Sequence, residues 1–440
     1  MSLGSQQANV DLISALTGLT HDIFVGQVEN DVKRESKTAM LFQEAGKGDY
    51  RLEGQNMVFA TDLRFKTGAL GTDGKLPDHV PMDAVQGKIT PIRRYARLAV
   101  DNFVEKRASG PGAFEDLAQR IFDQLWDSWA SMEIRHSIGD STGLVCKCSS
   151  RTSSTVVVLK SGYGNSGTNP IQHLSEGSII GWYDVSAVGV GGSGKISSID
   201  YVNNTITMAS ATTWEPSAQI AADDLIYFAT TTDSTKDYFT LERNLAPNGV
   251  GTIVDPAAAA TTVFNIAEGT YQRWKPFRKA SVTFDHLEVT EFWLKLAAKR
   301  GFDVTAGTDV ALSHPAPIAQ LARSLMGFQM NASYSGGNLD GGYSGVRIAN
   351  VDFVQDHFFY HNAMVTLNKE RLYRVPLGAQ ADFWGEDGSM WQRIMDYDGK
   401  EAFVVDYVQF FSNHRGANGA LTGISTPDVT TADFDAVPNY

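Results

Sequence analysis

Leu52–Phe65 (LEGQNMVFATDLRF) and Lys88–Val104 (KITPIRRYARLAVDNFV) flank a tip rich in Gly, Pro and Asp, TGALGTDGKLPDHVPMDAVQG at 67–87. Two β-type runs around such a tip read as a hairpin arm extending from about Tyr50 to Arg107. Fourteen residues at strand rise reach roughly 45 Å. A compact globule of this length has a radius of gyration of roughly 22 Å. An arm of that reach projects past its own body and needs another subunit to cover it. The spacing therefore points to a shell or lattice.

Directly after the arm comes AFEDLAQRIFDQLWDSWASMEIRHSI (113–138). Phe114, Leu117, Ile121, Leu125, Trp129 and Met132 step by three or four and form an apolar stripe, so the spacing predicts a helix. Pro111 and Gly112 precede it, Glu115 and Asp116 suit its positive end, and Gly139 can close it. Its length is roughly 39 Å at helical rise. On the other side, residues 1–45 read as a partly helical N-terminal arm, with Val10, Ile13, Leu16 and Ile23 on one face.

The composition is that of an ordinary soluble globular chain: 440 residues, 42% hydrophobic and 20% charged. The start, MSLGSQQANVDL, has neither the basic nor the apolar region of a secretory signal. No apolar run is long enough for a membrane helix. Cys146 and Cys148 are the only cysteines, one residue apart, which points to a reducing compartment. The net charge of −13 is unevenly spread: 51–107 holds ten basic and seven acidic residues, whereas 108–260 and 346–440 are acidic. A basic arm on an acidic body suits docking between copies. The overall acidity argues against a dedicated nucleic-acid binder, which would carry a basic face.

Residues 144–260 turn rich in Ser, Thr, Gly and Val. Short β runs appear at Thr155–Lys160, Ser178–Tyr183, Lys195–Tyr201, Thr205–Ala209 and Asp224–Ala229, with Asn203-Asn204 as a hairpin turn. They read as a compact β-rich insertion, a small barrel among the options. Asp285–Arg300 reads as a helix stopped by Gly301, with Leu287, Phe292, Leu294 and Ala298 inward. Asp309–Leu312 reads as a strand and Ala316–Met326 as a helix. Further strands are expected at Val346–Val354, Asp356–Asn362, Ala363–Leu367 and Glu401–Phe411.

The order of these parts resembles the major capsid proteins of tailed bacteriophages, the Hong Kong 97-type fold. DVALSHPAPIAQLARSL (309–325) is similar to that family's strand, His-Pro and helix step. YSGVRIANVDFV (343–354) looks like the strand opening the folded-back segment. NAMVTLNKERLYRVPLG (362–378) and 386–424 look like its terminal sheet and tail, and GTYQRW (269–274) like the link back into the core. The resemblance covers roughly 45–145 and 262–424; the β stretch 146–260 departs from it. It implies an α+β chain divided as follows: N-arm 1–45, extended hairpin loop 46–108, spine helix of a peripheral domain 109–145, inserted small β domain 146–260, return to the peripheral domain 261–285, central domain 286–345, closing strands 346–425 and tail 426–440. It also implies a structural, non-enzymatic role: pentamers and hexamers of an icosahedral shell around double-stranded DNA, built in the host cytoplasm and found in the virion. The partners implied are a separate scaffolding protein, a portal and a decoration protein, with no membrane. Arg64, Lys66, Arg93, Arg94 and Arg97 are the expected contacts to acidic neighbours. An encapsulin-like compartment around a cargo enzyme is the alternative, since encapsulins share the fold. Lys66, Lys75 and Lys88 lie on the arm, but nothing marks an Asn partner for the crosslink some family members form.

No residue set commits the chain to catalysis, a metal or a cofactor. Gly189–Lys195 fits G-x-x-x-x-G-K, yet Ile196 follows where a phosphate loop needs Ser or Thr, so it reads as a glycine-rich turn. Cys146 and Cys148 near His136 and His173 lack zinc spacing. His357 and His361 lack the glutamate of a metalloprotease motif, and on the expected strand they would share one face. Glu386-Asp387 and Asp396/Asp398 supply too few oxygens for calcium and read as turns. A β-rich hydrolase would need a pocket of convergent polar groups that the sequence does not offer.

Overall fold

The computed structural model describes residues 36–46, 49–53, 56–62, 84–101, 128–161, 170–215, 219–232, 240–255, 260–280, 283–305, 307–329, 347–348, 351–376, 382–383, 392–393 and 399–424. The N-terminal segment before Ser36, the arm tip 63–83, the first part of the expected long helix, the turns at Glu386-Asp387 and Asp396–Asp398, and the tail lie outside these. Within them the chain is mixed α and β, with two six-stranded open sheets, a three-stranded sheet, a two-stranded ribbon, a closed barrel and few helices.

The axis of the first open sheet is Gly399–Ser412, whose apolar run VVDYVQFF buries Val404, Val408, Phe410 and Phe411. Along one side it pairs antiparallel with Ile92–Asp101, in register from Gly399↔Asp101 to Val408↔Ile92. Along the other it pairs with Leu372–Pro376, Asp382–Phe383 and Gln392–Arg393. Gln43–Glu44 adds a short parallel strand outside Leu372–Pro376.

The hairpin is present, with Asn56–Asp62 against Ala84–Ile89 and Arg51–Glu53 outside it. The return run, however, is not one strand. It breaks at Thr90-Pro91, where proline supplies no ladder donor; Ala84–Ile89 belongs to the hairpin and Ile92–Asp101 to the body sheet. The hairpin base is rooted in the largest core, among Met57, Phe59, Ile89, Phe264, Trp274 and Phe411. Phe59 packs 4.6 Å, centroid to centroid, from Phe411 and edge-on to Phe264 at 5.9 Å. Gly87 on the facing strand makes room for that ring, because a Cβ there would lie 2.2 Å from Phe59 Cζ.

The second open sheet runs Phe277–Ala280, Gly419–Thr422, Ala363–Asn368, Asp309–Ser313, Val351–Gln355, Arg347–Ile348. Two helices accompany it, His286–Arg300 and Pro315–Gln329. Asp285 caps the first by accepting from the Glu288 N–H at 2.8 Å, and Gly301 closes it at φ 84°. Its buried face is Val289, Phe292, Trp293 and Leu296. Leu287 and Leu294, expected inward, are 65% and 67% exposed, and Ala298 is exposed too. Apolar residues occupy both faces of this helix, and the adjacent aromatics Phe292 and Trp293 decide which one packs. Asp356–Asn362, expected as a strand, is a turn between Val351–Gln355 and Ala363–Asn368. His357 and His361 therefore do not share a strand face; the His361 ring lies 4.5 Å from that of His314, centroid to centroid, tilted by 46°.

Six strands close the barrel: Cys146–Arg151, Val156–Ser161, Ile179–Asp184, Gly189–Asp200, Thr205–Met208 and Leu225–Phe228. It has its own core, including Cys146, Cys148, Val157, Leu159, Trp182, Ile196, Ile206, Met208 and Trp214. The Trp182 indole N–H donates to the Trp214 carbonyl at 2.7 Å. Gly189–Lys195 is not a turn; it opens the twelve-residue strand Gly189–Asp200. Its glycines let the wall pass the Trp182 ring, since a Cβ on Gly191 would sit 2.2 Å from it. The hairpin turn at Asn203-Asn204 is present, with Asn204 at φ 51°.

Candidate subunit-interaction site

The candidate site is the junction where the arm meets the body. Strand alternation sorts the side chains of Ile92–Asp101 to opposite faces. Arg93 and Tyr95 are exposed, Tyr95 at 55%, while Arg94 between them is buried. Tyr407 stands opposite Arg93 in the ladder and is 37% exposed. The outer face thus presents a guanidinium beside two phenol rings, a chemistry enriched at the energetic centres of protein interfaces.

The inner face is electrostatic. Arg94 bridges Glu133, on the helix at 128–138, and Asp406 on Gly399–Ser412. Arg374 reaches the same two carboxylates, at 3.1 Å from Glu133 and 3.7 Å from Asp406. The Arg94 guanidinium also lies 5.3 Å from the Trp129 ring centroid. Burial alone would raise the Glu133 pKa, but Arg94 and Arg374 outweigh it and hold the group at about 2. For Arg94 burial works downward, and Glu133 with Asp406 overcomes it, so its pKa is raised.

The helix at 128–138 is pinned at its far end too. Arg135 Nη2 donates to both Glu242 carboxylate oxygens at 2.8 and 2.7 Å, and His136 Nε2 lies 2.5 Å from Oε1. Burial and then Arg135 push the His136 pKa down to about 4, so the ring is neutral at pH 7. A third tie holds the N-terminal segment. The buried Asp356 carboxylate accepts from Ser36 Oγ at 2.8 Å, Thr38 N–H at 3.0 Å and Thr38 Oγ at 2.6 Å.

Of the five expected contacts, Arg64 and Lys66 lie outside the described residues. Arg93 is available on the surface. Arg94 is not: its charge is spent on Glu133 and Asp406 within the same chain. Arg97 is paired in register with Phe403. Tyr95 and Tyr407 were missed. The signal for Tyr95 was its place two residues from Arg93 on an alternating strand, and for Tyr407 its place beside the lone acid of an apolar run.

The residues considered for chemistry are occupied otherwise. Cys146 and Cys148 are free thiols inside the barrel, and burial raises both, Cys148 to about 11. His173 stacks on Phe358 at 5.7 Å. Among the described residues no group of three or more His, Cys, Asp or Glu is arranged to hold a metal ion. None of the described helices is long and apolar enough to cross a membrane.

No protein-family model and no curated protein matches the chain. Solved structures of phage capsid proteins do. The cyanophage A-1(L) capsid asymmetric unit is 11% identical, with 88% of this chain and 93% of that chain covered and a TM-score of 0.48. The satellite phage P4 procapsid is 10% identical over 92% of each chain, with a TM-score of 0.41. The holo-SrpI encapsulin complex from Synechococcus elongatus PCC 7942 matches a smaller part: 11% identity, 35% of this chain and 54% of that chain, TM-score 0.25.

Proposed function

We propose that this chain is the major capsid protein of a tailed bacteriophage, assembling as pentamers and hexamers of an icosahedral shell that encloses double-stranded DNA. The observation that carries the reading is the arm–body junction. A hairpin rooted in the core, with residues 63–83 between its paired strands, stands beside an exposed Arg-Tyr face on a chain whose net charge is −13. Basic and aromatic groups on an acidic chain favour contact between copies over solitary life. Closed symmetry would repeat each modest contact many times, so no single one need be strong.

In this reading Arg93, Tyr95 and Tyr407 meet an acidic surface of a neighbour, with Arg64, Lys66 and Arg97 contributing from the same limb. A separate scaffolding protein, a portal and a decoration protein are the expected partners, and assembly precedes release from the host cytoplasm. The chain's role is mechanical, and its chemistry is that of non-covalent tiling.

Electron microscopy of the expressed protein, alone and with candidate scaffolds, tests the proposal. Shells large enough for a phage genome support it. Small particles filled with an enzyme would point to the encapsulin alternative, and a soluble monomer under every condition would refute it. Deleting residues 68–82, which leaves both paired strands intact, should spare the monomer's melting temperature and abolish normal shells.

A further inference from the structure

The N-terminal segment, the barrel and the second open sheet converge on one carboxylate. Asp356 follows the strand Val351–Gln355, is buried, and its N–H donates to the Ser313 carbonyl at 3.1 Å. Its Oδ2 carries the whole tie to the N-terminal segment: Ser36 Oγ, the Thr38 N–H and Thr38 Oγ. Its Oδ1 accepts the Phe358 N–H at 3.0 Å. Phe358 in turn meets the barrel. Its carbonyl accepts from Gln172 Nε2 at 3.1 Å, and its ring is stacked with that of His173 at 5.7 Å. Gln172 and His173 stand between Ile171 and Leu174, both buried in the barrel core. The later part of the Asp356–Asn362 turn is anchored independently: Phe359 and Tyr360 are buried, and the Tyr360 hydroxyl donates to the Ile138 carbonyl at 3.1 Å. The earlier part is held less firmly, with His357 exposed and Phe358 half-buried at the edge of the largest core.

We propose that Asp356 is a relay between the N-terminal segment and the barrel: Ser36 and Thr38 on Oδ2 fix the turn against which the barrel loop 170–174 rests, and their release loosens that loop. The physical reason is the cost of a buried carboxylate short of hydrogen bonds. Without the donors of the N-terminal segment, Asp356 relaxes by turning toward water, which draws Oδ1 off the Phe358 N–H. Phe358 then loses the bond that shapes its side of the turn, and with it the fixed carbonyl and ring that Gln172 and His173 use. Coupling of this kind is reciprocal, so freeing the barrel loop must also weaken the hold on Ser36 and Thr38. The relay is a property of one molecule. Its consequence, that a neighbour drawing on the chain before Ser36 is felt at the barrel, rests on the capsid reading above.

Hydrogen–deuterium exchange on the full chain tests both directions. Ser36→Ala with Thr38→Val removes two of the three donors to Oδ2 and leaves the barrel's own residues untouched. Exchange in 171–178, where the Leu174 N–H donates to the Ile171 carbonyl, should rise about fivefold or more. Residues 404–410 of the strand Gly399–Ser412, which report opening of the body, should exchange as in the parent protein. The reverse variant, Gln172→Ala with His173→Ala, should raise exchange at Leu41, whose N–H donates to the Thr38 carbonyl, by a similar factor. Unchanged exchange in 171–178, or a rise matched by 404–410, overturns the proposal. Should the first variant fail to fold, the reverse variant decides: a selective rise at 38–42 supports the relay, and no rise refutes it. A parent protein that never assembles would end the capsid reading while leaving the exchange result to stand.

Discussion

Arg93 and Arg94 are neighbours in sequence with opposite surroundings, which makes them a matched pair of perturbations. Arg94→Ala removes the guanidinium that sits between Glu133 and Asp406 and leaves two buried carboxylates sharing Arg374. Breaking a buried pair from one side costs about 3–5 kcal/mol, a large share of the roughly 5–15 kcal/mol that holds a domain. Arg93→Ala, on the outer face, should stay within about 0.5 kcal/mol. Guanidinium chloride titration measures both through the midpoint, provided the slope is unchanged. The pair also differs in acid. Glu133 titrates at about 2 in the fold against 4.5 when free, so the stability it contributes is complete above pH 4.5 and is lost as pH falls toward 2. That contribution is about 3 kcal/mol in the parent protein. Without Arg94 the acid limb of unfolding should begin at a higher pH. A loss below about 1 kcal/mol for Arg94→Ala, the scale of a surface ion pair, would refute the account of the cluster. So would an equal loss for Arg93→Ala.

His136, His173, His314 and His414 titrate at about 4, 3, 3 and 4, chiefly because burial disfavours the charged ring. Their folded values lie below the free value of 6.5, so the unfolded chain binds protons first and stability falls as pH drops below 6.5. Between pH 6.5 and 5 each should cost about 2 kcal/mol, and His314→Gln should flatten that part of the melting profile. Val188 is β-branched, 73% exposed and held at φ 56°, so Val188→Asn should raise the melting temperature, the relief being about 1 kcal/mol. An unchanged or lower melting temperature would contradict that strain. Asp356→Ala removes the acceptor that holds Ser36 and Thr38, and limited proteolysis should then cut near residues 36–45 faster than in the parent protein. Equal cutting rates would show that the burial of Leu41 and Phe42 secures this segment by itself.

Local pattern was legible where one signal dominated. Five of the barrel's six strands, the stop of His286–Arg300 at Gly301 and the strand at Asp309–Ser313 follow from short β runs, a terminal glycine and an apolar run. The strand Cys146–Arg151 is not among those expected, and Asp285, read as part of the helix, is its cap. Legibility failed where two signals competed. Leu287 and Leu294 offered a second apolar face, and only packing against the sheet chose between them. The glycines at 189–194 looked like a turn because turns and crowded barrel walls both favour glycine, and only the Trp182 ring distinguishes them. The Phe-rich stretch 356–362 looked like a strand, yet Asp356 Oδ1 accepts the Phe358 N–H and bends it. Arg94 was the costliest ambiguity. In sequence it is one cation in a basic run, and its partners Glu133, Arg374 and Asp406 lie dozens to hundreds of residues away.

The barrel's first and last strands are neighbours: Lys147 pairs with Leu225 and Cys146 with Ile226. Paired strands lie about 5 Å apart, so the polypeptide arrives and departs through almost the same spot. A few residues joining Leu144 to Ala229 would bridge the gap, and the barrel has an apolar interior of its own. Its entry and exit lie side by side, so another fold with adjacent termini could be spliced between the same two points.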